Sequence, residues 1–500
     1  MEAERVLLRT ARSEFEEQAR RLITERCLIA TDIDKTILIQ GLGYDDEREQ
    51  FLINIAPQLL QAASYGTNLA LLTGNSMDEL SSRFLKGLID HLCHTNRLTL
   101  LKNFHFFCNS GGIYAHFPDP EKLIEGGSPR DLDLRTKVFE AMTVSNDGKL
   151  AIRPSFIDAD YIGRSMISSE DAARIKGVLE EAAQLYLSNL NRNEAAYREL
   201  YDLRKVSKGE TFIGPSVDVR PVQYGSDGGL NQASVQVTLK PILSFYHAHD
   251  VKTLVGRDLR ADLINTIQSQ LDERGLRQYV ARAGGRSSID VTLEKLDKAY
   301  ALEFLIDRLN LQGNPHLGQR FGSNAIYFGD EVIAGAGNDY PITRIPGLLV
   351  FAVNPDKELV PLLSHVFVPS AILEGPDATA EVLADFNKCA FRLLKNYVSR
   401  CEKGEKPQQT KTALESLKME IFASRIAEKI LKLKDADRHS IEDWQTLHAF
   451  VTLMCRKDPA ARQWLNILIN ELDAIMIQLA TSSGPAQPAL GTSHPDHKWS

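Results

Sequence analysis

The sequence predicts an α/β chain: a parallel sheet, interrupted by an inserted α+β segment and followed by a helical extension. Three observations lead there. Short apolar runs at 27–31, 68–72, 104–108, 325–328 and 348–353 each end at a polar or glycine-rich turn, as buried parallel strands do. Helical stretches separate them. Between about 117 and 288 this alternation breaks down, and after 378 only helical patterning remains.

Taken in order, residues 3–25 read as an amphipathic helix, with Val6, Leu7, Phe15, Ala19 and Leu22 on one face. The run Cys27 to Thr31 is a strand that stops at Asp32-Ile33-Asp34-Lys35-Thr36, and residues 47–64 are helical. Asn68 to Leu72 form a second strand ending at Thr73-Gly74. Ser76 and Glu79 then make the capping-box pattern that opens a helix. Phe104 to Cys108 is a third strand, followed by Asn109-Ser110-Gly111-Gly112. The insert holds helices near 168–200 and 258–274, with extended segments near 211–223, 233–243, 277–283 and 286–292. A helix over 295–311 and strands at 325–328 and 348–353 resume the first pattern, so one Rossmann-like core is split by the insert. The expected division is an N-terminal helix (1–25), a core (26–116 and 289–377), an inserted domain (117–288), a helical extension (378–480) and a Pro/Gly/Ser-rich tail (481–500) expected to be disordered.

Composition narrows the function. With 43% hydrophobic and 25% charged residues, the 500-residue chain can build soluble globular cores. The net charge of -8 argues against nucleic acid as the main partner, while leaving room for a small anionic substrate in a basic pocket. The first 26 residues are charged throughout and lack the apolar centre of a signal peptide. No apolar run reaches the length of about 18 residues that a membrane span needs. Six dispersed cysteines form no CxxC pair, which argues against zinc and for reduced thiols in the cytoplasm.

Chemistry concentrates at the strand ends. Asp32 and Asp34 lie two apart where the first strand stops. A metal-held carboxylate there can attack phosphorus, and a second can move protons to the leaving oxygen and from water. Alone, the pair reads equally as a solvated turn. Thr73 ends the second strand and could hold a phosphoryl oxygen; alone it caps a turn. Lys298, in Asp297-Lys298-Ala299, could neutralise phosphate near a helix start, with Lys295 one turn earlier competing for the role. After the strand ending Tyr327-Phe328-Gly329, Asp330 and the pair Asn338-Asp339 supply hard oxygen ligands suited to Mg²⁺.

In this order the four elements together resemble the haloacid dehalogenase superfamily of phosphohydrolases over about residues 26–375. The resemblance implies Asp32 as nucleophile, Asp34 as general acid and base, Thr73 as phosphoryl ligand and Lys298 as the neutralising cation. It implies Mg²⁺ held by Asp32, Asp330 and the Asp34 main-chain carbonyl, with Asn338 and Asp339 supporting from behind. Gly74, Asn75 and Asn109 are further candidates for phosphate or substrate contact. In the insert Arg220, Lys240, His247 and His249 could reach a substrate, and Arg220 and Lys240 are carried as candidates.

The insert comes after the second motif, which resembles the large-capped branch that includes sucrose-phosphate phosphatases, trehalose-phosphate phosphatases and eukaryotic phosphomannomutases. Lys35 stands where Gly is usual in the family, and Asn75 where many relatives carry Arg. The expected activity is a Mg²⁺-dependent phosphatase acting on a small phosphorylated metabolite, a sugar phosphate first. The alternatives are a phosphomutase, which shares every core residue, and a non-catalytic assembly protein that self-associates through the C-terminal helices.

Overall fold

The computed structural model describes residues 27–402 apart from 40–43, 96, 125–133, 147–148, 194–215, 222–233, 241–259, 285–287, 310–324, 334–336, 354–359, 362, 364 and 370–372, together with 448–449, 451–452 and 472. The helix expected over 3–25, the tail 481–500 and most of the helical extension lie outside the described residues. The chain divides into two compact units, 1–414 and 415–500. In the second, only His448, Ala449, Val451, Thr452 and Leu472 are described, all helical. No helix among the described residues is long and apolar enough to cross a membrane.

The strands, in chain order, are β1 (Leu28–Asp32), β2 (Asn68–Leu72), β3 (Phe104–Cys108), β4 (Ile113–His116), β5 (Thr143–Asn146), β6 (Lys149–Ile152), β7 (Ser216–Pro221), β8 (Ser234–Lys240), β9 (Tyr279–Gly284), β10 (Ser288–Leu293), β11 (Ala325–Gly329), β12 (Leu349–Ala352) and β13 (Val366–Phe367). Seven of them form the main sheet in the order β13-β12-β11-β1-β2-β3-β4. Its strands are parallel except β4, which runs back antiparallel beside β3. An antiparallel edge strand was not expected. The Asn109–Gly112 turn is too short for a crossover, so the chain can only return as a hairpin. Leu28, Ile29 and Ala30 are buried on both faces of the sheet, which is why β1 reads as an unbroken apolar run.

The second sheet, β7-β8-β10-β9, is antiparallel. Its strands alternate. Val237, Leu239, Ile289 and Val291 pack with Leu179, Ile267 and Leu271 of the helices Ser169–Asn193 and Arg260–Glu273. Gln236, Thr238, Asp290 and Thr292 occupy the intervening positions and are also buried. The first three pair with one another, as buried polar groups must: Gln236 Nε2 donates to Thr238 Oγ1 and Thr238 Oγ1 to Asp290 Oδ1, both at 2.9 Å.

The helices differ from plain periodicity in three places. The expected helix over 295–311 begins at Lys298, because Asp297 takes the N-cap. Segments Phe51–Ile55 and Leu80–Leu85 are π-helical turns whose rings Phe51 and Phe84 pack 4.8 Å apart. The last described helix begins at Gly375 and ends at Glu402, and its Asn387 donates to Gln58 of the core. The expected capping box is present: Ser76 Oγ accepts from Glu79 N–H and Glu79 Oε2 from Ser76 N–H.

At the β3–β4 edge a histidine is sealed in. His105 stacks on His116 with ring centroids 4.4 Å apart, bonds Tyr114 OH at 2.9 Å, and has Asn68 Oδ1 at its other nitrogen. Burial, with His116 and Arg308 nearby, pushes its pKa well below the ordinary 6.5. It therefore stays neutral when folded, while the unfolded chain takes up a proton below about pH 6.5. Stability should fall by about 1 kcal/mol between about pH 6.5 and about pH 5.5 from this group. Urea unfolding of the wild type and His105→Gln at both pH values checks this, the wild type losing that much more than the variant.

Candidate active site

The strand order fixes where chemistry can occur. From β1 the chain moves to β2 on one side, while β11 pairs on the other. Strand order reverses at β1, and open parallel sheets bind ligands at the carboxyl ends of the strands around such a point. Asp32 ends β1, Thr73 follows β2 and Asp330 follows β11.

Asp34 lies in a tight turn in which Ile37 and Leu38 N–H both donate to Ile33 O and Lys35 N–H donates to Leu38 O. Lys35 has φ 56°, in the left-handed region that favours glycine. That conformation is the physical reason a Gly suits this position. Here the Lys35 ammonium lies 3.7 Å from Asp330 instead.

Lys298 enters from the opposite side. Asp297 Oδ1 accepts from Tyr300 N–H and its other oxygen pairs with Arg344, so the helix Lys298–Arg308 starts with Lys298 at its first turn. The ammonium, only 2% exposed as a residue, donates to Asp32 at 2.8 Å, Asp339 at 2.6 Å and Asn338 at 3.3 Å. Lys295, its competitor in sequence, lies over the Tyr300 ring at 5.8 Å. Asp339 also accepts from Tyr327 OH at 2.7 Å and from Glu331 N–H at 3.1 Å. A Cβ on Gly329 would lie 2.5 Å from Asp339 Oδ2, so the residue before Asp330 must be small.

Burial pushes the Asp32 carboxyl up to about 7; Lys298 opposes the shift, and Asp339 and Asp34 add to it. Asp330 is pushed well above its ordinary value, by burial first and then by Glu331, Asp32 and Asp339. Burial also works against the Lys298 charge, but Asp32 and Asp339 outweigh it and keep the ammonium protonated.

One oxygen from each of Asp32, Asp330 and Asp339 lies within 4.8 Å of the others. Buried hard oxygens in this arrangement fit Mg²⁺, whose charge would relieve the repulsion that raises Asp330. Asp339 already serves three donors. Asp32 and Asp330 therefore have the spare lone pairs, and Asp339 orients Lys298 behind them.

Thr73, Asn75 and Asn109 interlock. Asn75 N–H donates to Thr73 Oγ1 at 3.0 Å, Asn109 N–H to Asn75 O at 2.8 Å and Ser110 N–H to Thr73 O at 3.0 Å. Asn109, Ser110 and Gly111 have φ of 51°, 55° and 88° in succession, a strained turn of the kind kept at functional sites. Asn109 Oδ1 is buried without a partner among the described residues. Gly74 lies under this turn, where a Cβ would be 3.6 Å from Ser110 Oγ.

A cavity of about 440 Å³ opens over Lys298. Ser110, Lys298 and Asn338 line its floor, and Asn265, Asp290 and Thr292 line the small-sheet side. Arg282 also borders it, but its guanidinium is already bonded to Thr292 Oγ1, Leu296 O and Glu294 O. Lys240, at the end of β8, is not among the described lining residues. Arg220 lies in β7 opposite Gln236, and its side chain, like His247 and His249, lies outside the described residues.

Sequence reasoning missed Asp290 and Thr292 as lining residues. Their alternation with Ile289 and Val291 was the available signal. Tyr327, inside an apolar strand, and Arg83, mid-helix, gave none.

No family model matches the chain, and no curated protein does. Among solved structures, an N-terminally truncated Plasmodium falciparum IMP-nucleotidase aligns at 14% identity and TM-score 0.39, covering 72% of this chain and 70% of that one. A Streptococcus mutans protein aligns at 13% identity and TM-score 0.33, covering 75% and 100%. Aspergillus fumigatus trehalose-6-phosphate phosphatase aligns at 10% identity and TM-score 0.36, covering 75% and 97%. Identity and TM-score are low in all three alignments, and this chain is read from its own sheet and site. The chemistry assigned to its site rests on the geometry above.

A divalent cation at this site would compete with protons for the Asp32 and Asp330 carboxylates. Both folded pKa values are raised, so the unliganded site becomes less favourable as pH rises through them. Saturating Mg²⁺ should therefore raise the melting temperature more at about pH 8 than at about pH 6. Asp330→Asn should remove most of that difference, as read by thermal melts with and without Mg²⁺.

Proposed function

We propose that this chain is a Mg²⁺-dependent phosphatase that hydrolyses a small phosphorylated metabolite through an aspartyl-phosphate on Asp32. One observation carries the reading. The Lys298 ammonium bridges Asp32 and Asp339 at the sheet's switch point, with Asp330 beside them, and Lys298 also lines the neighbouring cavity. A buried nucleophilic carboxylate needs a fixed counter-charge, and phosphate needs the same charge when it arrives.

In this reading Asp32 attacks phosphorus in line while Asp34 protonates the leaving oxygen. Water then attacks the acyl phosphate and Asp34 takes its proton. Thr73 Oγ1, which accepts from Asn75 N–H, keeps its own proton to donate to a phosphoryl oxygen, and the strained turn at Asn109 and Ser110 sits beside it. Lys298 balances the charge on the transferring group, and Asp339 and Asn338 hold Lys298 in place. Mg²⁺, held by Asp32, Asp330 and the Asp34 main-chain carbonyl, would supply electrostatic neutralisation of the phosphoryl oxygens.

The cavity supports a sugar phosphate. Its small-sheet side offers the Asp290 carboxylate and the Asn265 amide, acceptor and donor suited to hydroxyls, and among its described lining residues Tyr340 alone is aromatic. A nucleobase would call for stacking surfaces. The β7–β10 sheet with its two helices would act as the cap over the site and exclude water. Cys27, Cys93 and Cys108 are buried as thiols, which suits a cytoplasmic setting, and the helical extension expected over 378–480 is the candidate for self-association.

Phosphate release from sugar phosphates, nucleotides and p-nitrophenyl phosphate, with Mg²⁺ or EDTA, tests the reading. Asp32→Asn should lower turnover by about a thousandfold or more, and Lys298→Met by roughly a hundred- to thousandfold. Release that survives EDTA or Asp32→Asn would overturn it. Turnover that depends on a bisphosphate activator would convert it to a mutase.

A further inference from the structure

Asp34 is gripped by two donors from outside its own strand. Asn75 Nδ2 donates to Oδ2 at 2.6 Å and Arg83 Nη1 to Oδ1 at 3.0 Å. Neither end of the ion pair is a solvated surface group: the Arg83 and Asp34 side chains are 12% and 19% exposed. Arg83 comes from the π-helical turn Leu80–Leu85, in the helical run that begins at Ser76 just beyond β2. An α-helix advances 3.6 residues per turn, whereas a π turn takes a residue more and shifts the phase of the next turn. Leu80, Ser81, Phe84 and Leu85 are buried by that turn, Phe84 against Phe51, while Arg83 is left at its edge within reach of the Asp34 loop.

We propose that Arg83 is the positioning residue for Asp34, fixing which carboxyl oxygen faces the phosphate ester. The inference rests on the phosphatase reading above. In the first step the Asp34 O–H bond breaks and its proton goes to the leaving oxygen. The phosphorus–oxygen bond to the leaving group breaks as the Asp32 Oδ–phosphorus bond forms. In the second, water's oxygen bonds phosphorus, the Asp32–phosphorus bond breaks, and water's proton passes to Asp34. Both transfers need one carboxyl oxygen held within about 3 Å of the reacting oxygen. A free aspartate side chain populates several rotamers; clamped at both oxygens it keeps one. Each clamped oxygen retains a second lone pair for the moving proton.

A merely structural ion pair would weaken all substrates alike. A positioning role depends on the leaving group. Alkyl phosphates need a proton on the departing oxygen, whereas p-nitrophenolate leaves without one. The quantity to compare is kcat/KM, which covers steps only through release of the leaving group. Arg83→Met should lower kcat/KM for the preferred alkyl phosphate by about thirtyfold or more, but for p-nitrophenyl phosphate by no more than about threefold. Arg83→Lys should restore part of the alkyl activity. Asn75→Ala, which removes the other donor, should show the same ester dependence, so an Arg83→Met that fails to fold does not end the test. Arg83→Met in an Asp34→Asn background should add little further loss. Equal loss on both esters in a folded variant, or no loss on either, overturns the positioning role and leaves the phosphatase reading standing. A folded wild type that hydrolyses neither ester overturns the phosphatase reading first, and this inference with it.

Discussion

Everything at the site hangs on one buried cation. Lys298 is enclosed with Asp32 and Asp339, each in direct contact with its ammonium. Two buried carboxylates that close would repel strongly in a poorly solvated pocket, and a single buried ammonium would be costly without them. Together they satisfy each other, and the surroundings lock the arrangement. Asp297 starts the helix that delivers Lys298, and Arg344 holds Asp297. Tyr327 and the Glu331 N–H hold Asp339.

The main sheet makes this convergence inevitable. β1 and β11 are parallel neighbours in register, Thr31 opposite Phe328, so Asp32 and Asp330 emerge side by side although nearly three hundred residues separate them in sequence. The intervening chain supplies β2, β3 and β4 of the same sheet before it builds the β7–β10 sheet. The insert's sheet returns through β10 to Asp297 and Lys298, which ties the polar face carrying Asp290 and Thr292 to the first turn of the helix that carries Lys298.

The strands bearing Asp32, Thr73 and Asp330 were legible because buried parallel strands are continuous apolar runs that stop abruptly. The capping box at Ser76 was legible because its pattern is local. Less local features were not. The start of the Lys298 helix depends on Asp297 adopting an N-cap geometry, which separates Lys298 from Lys295 only once the helix is placed. The β4 return depends on three left-handed residues at 109–111. Arg83 reaches Asp34 because of a π turn, and no side-chain period announces one. Arg220 and Lys240 were chosen by charge alone. Asp290 and Thr292, from the alternation of β10, are among the residues that line the cavity.

The most direct measurement is to find the covalent intermediate. Turnover with the preferred substrate would be quenched in acid, the acyl phosphate reduced with borohydride, and the digest sequenced by mass spectrometry. The mechanism predicts that reduction modifies position 32 and no other carboxylate, and that the Asp32→Asn protein shows none. Rapid phosphate release with no modified carboxylate, or modification at Asp34 or Asp330 instead, would contradict Asp32 as the nucleophile.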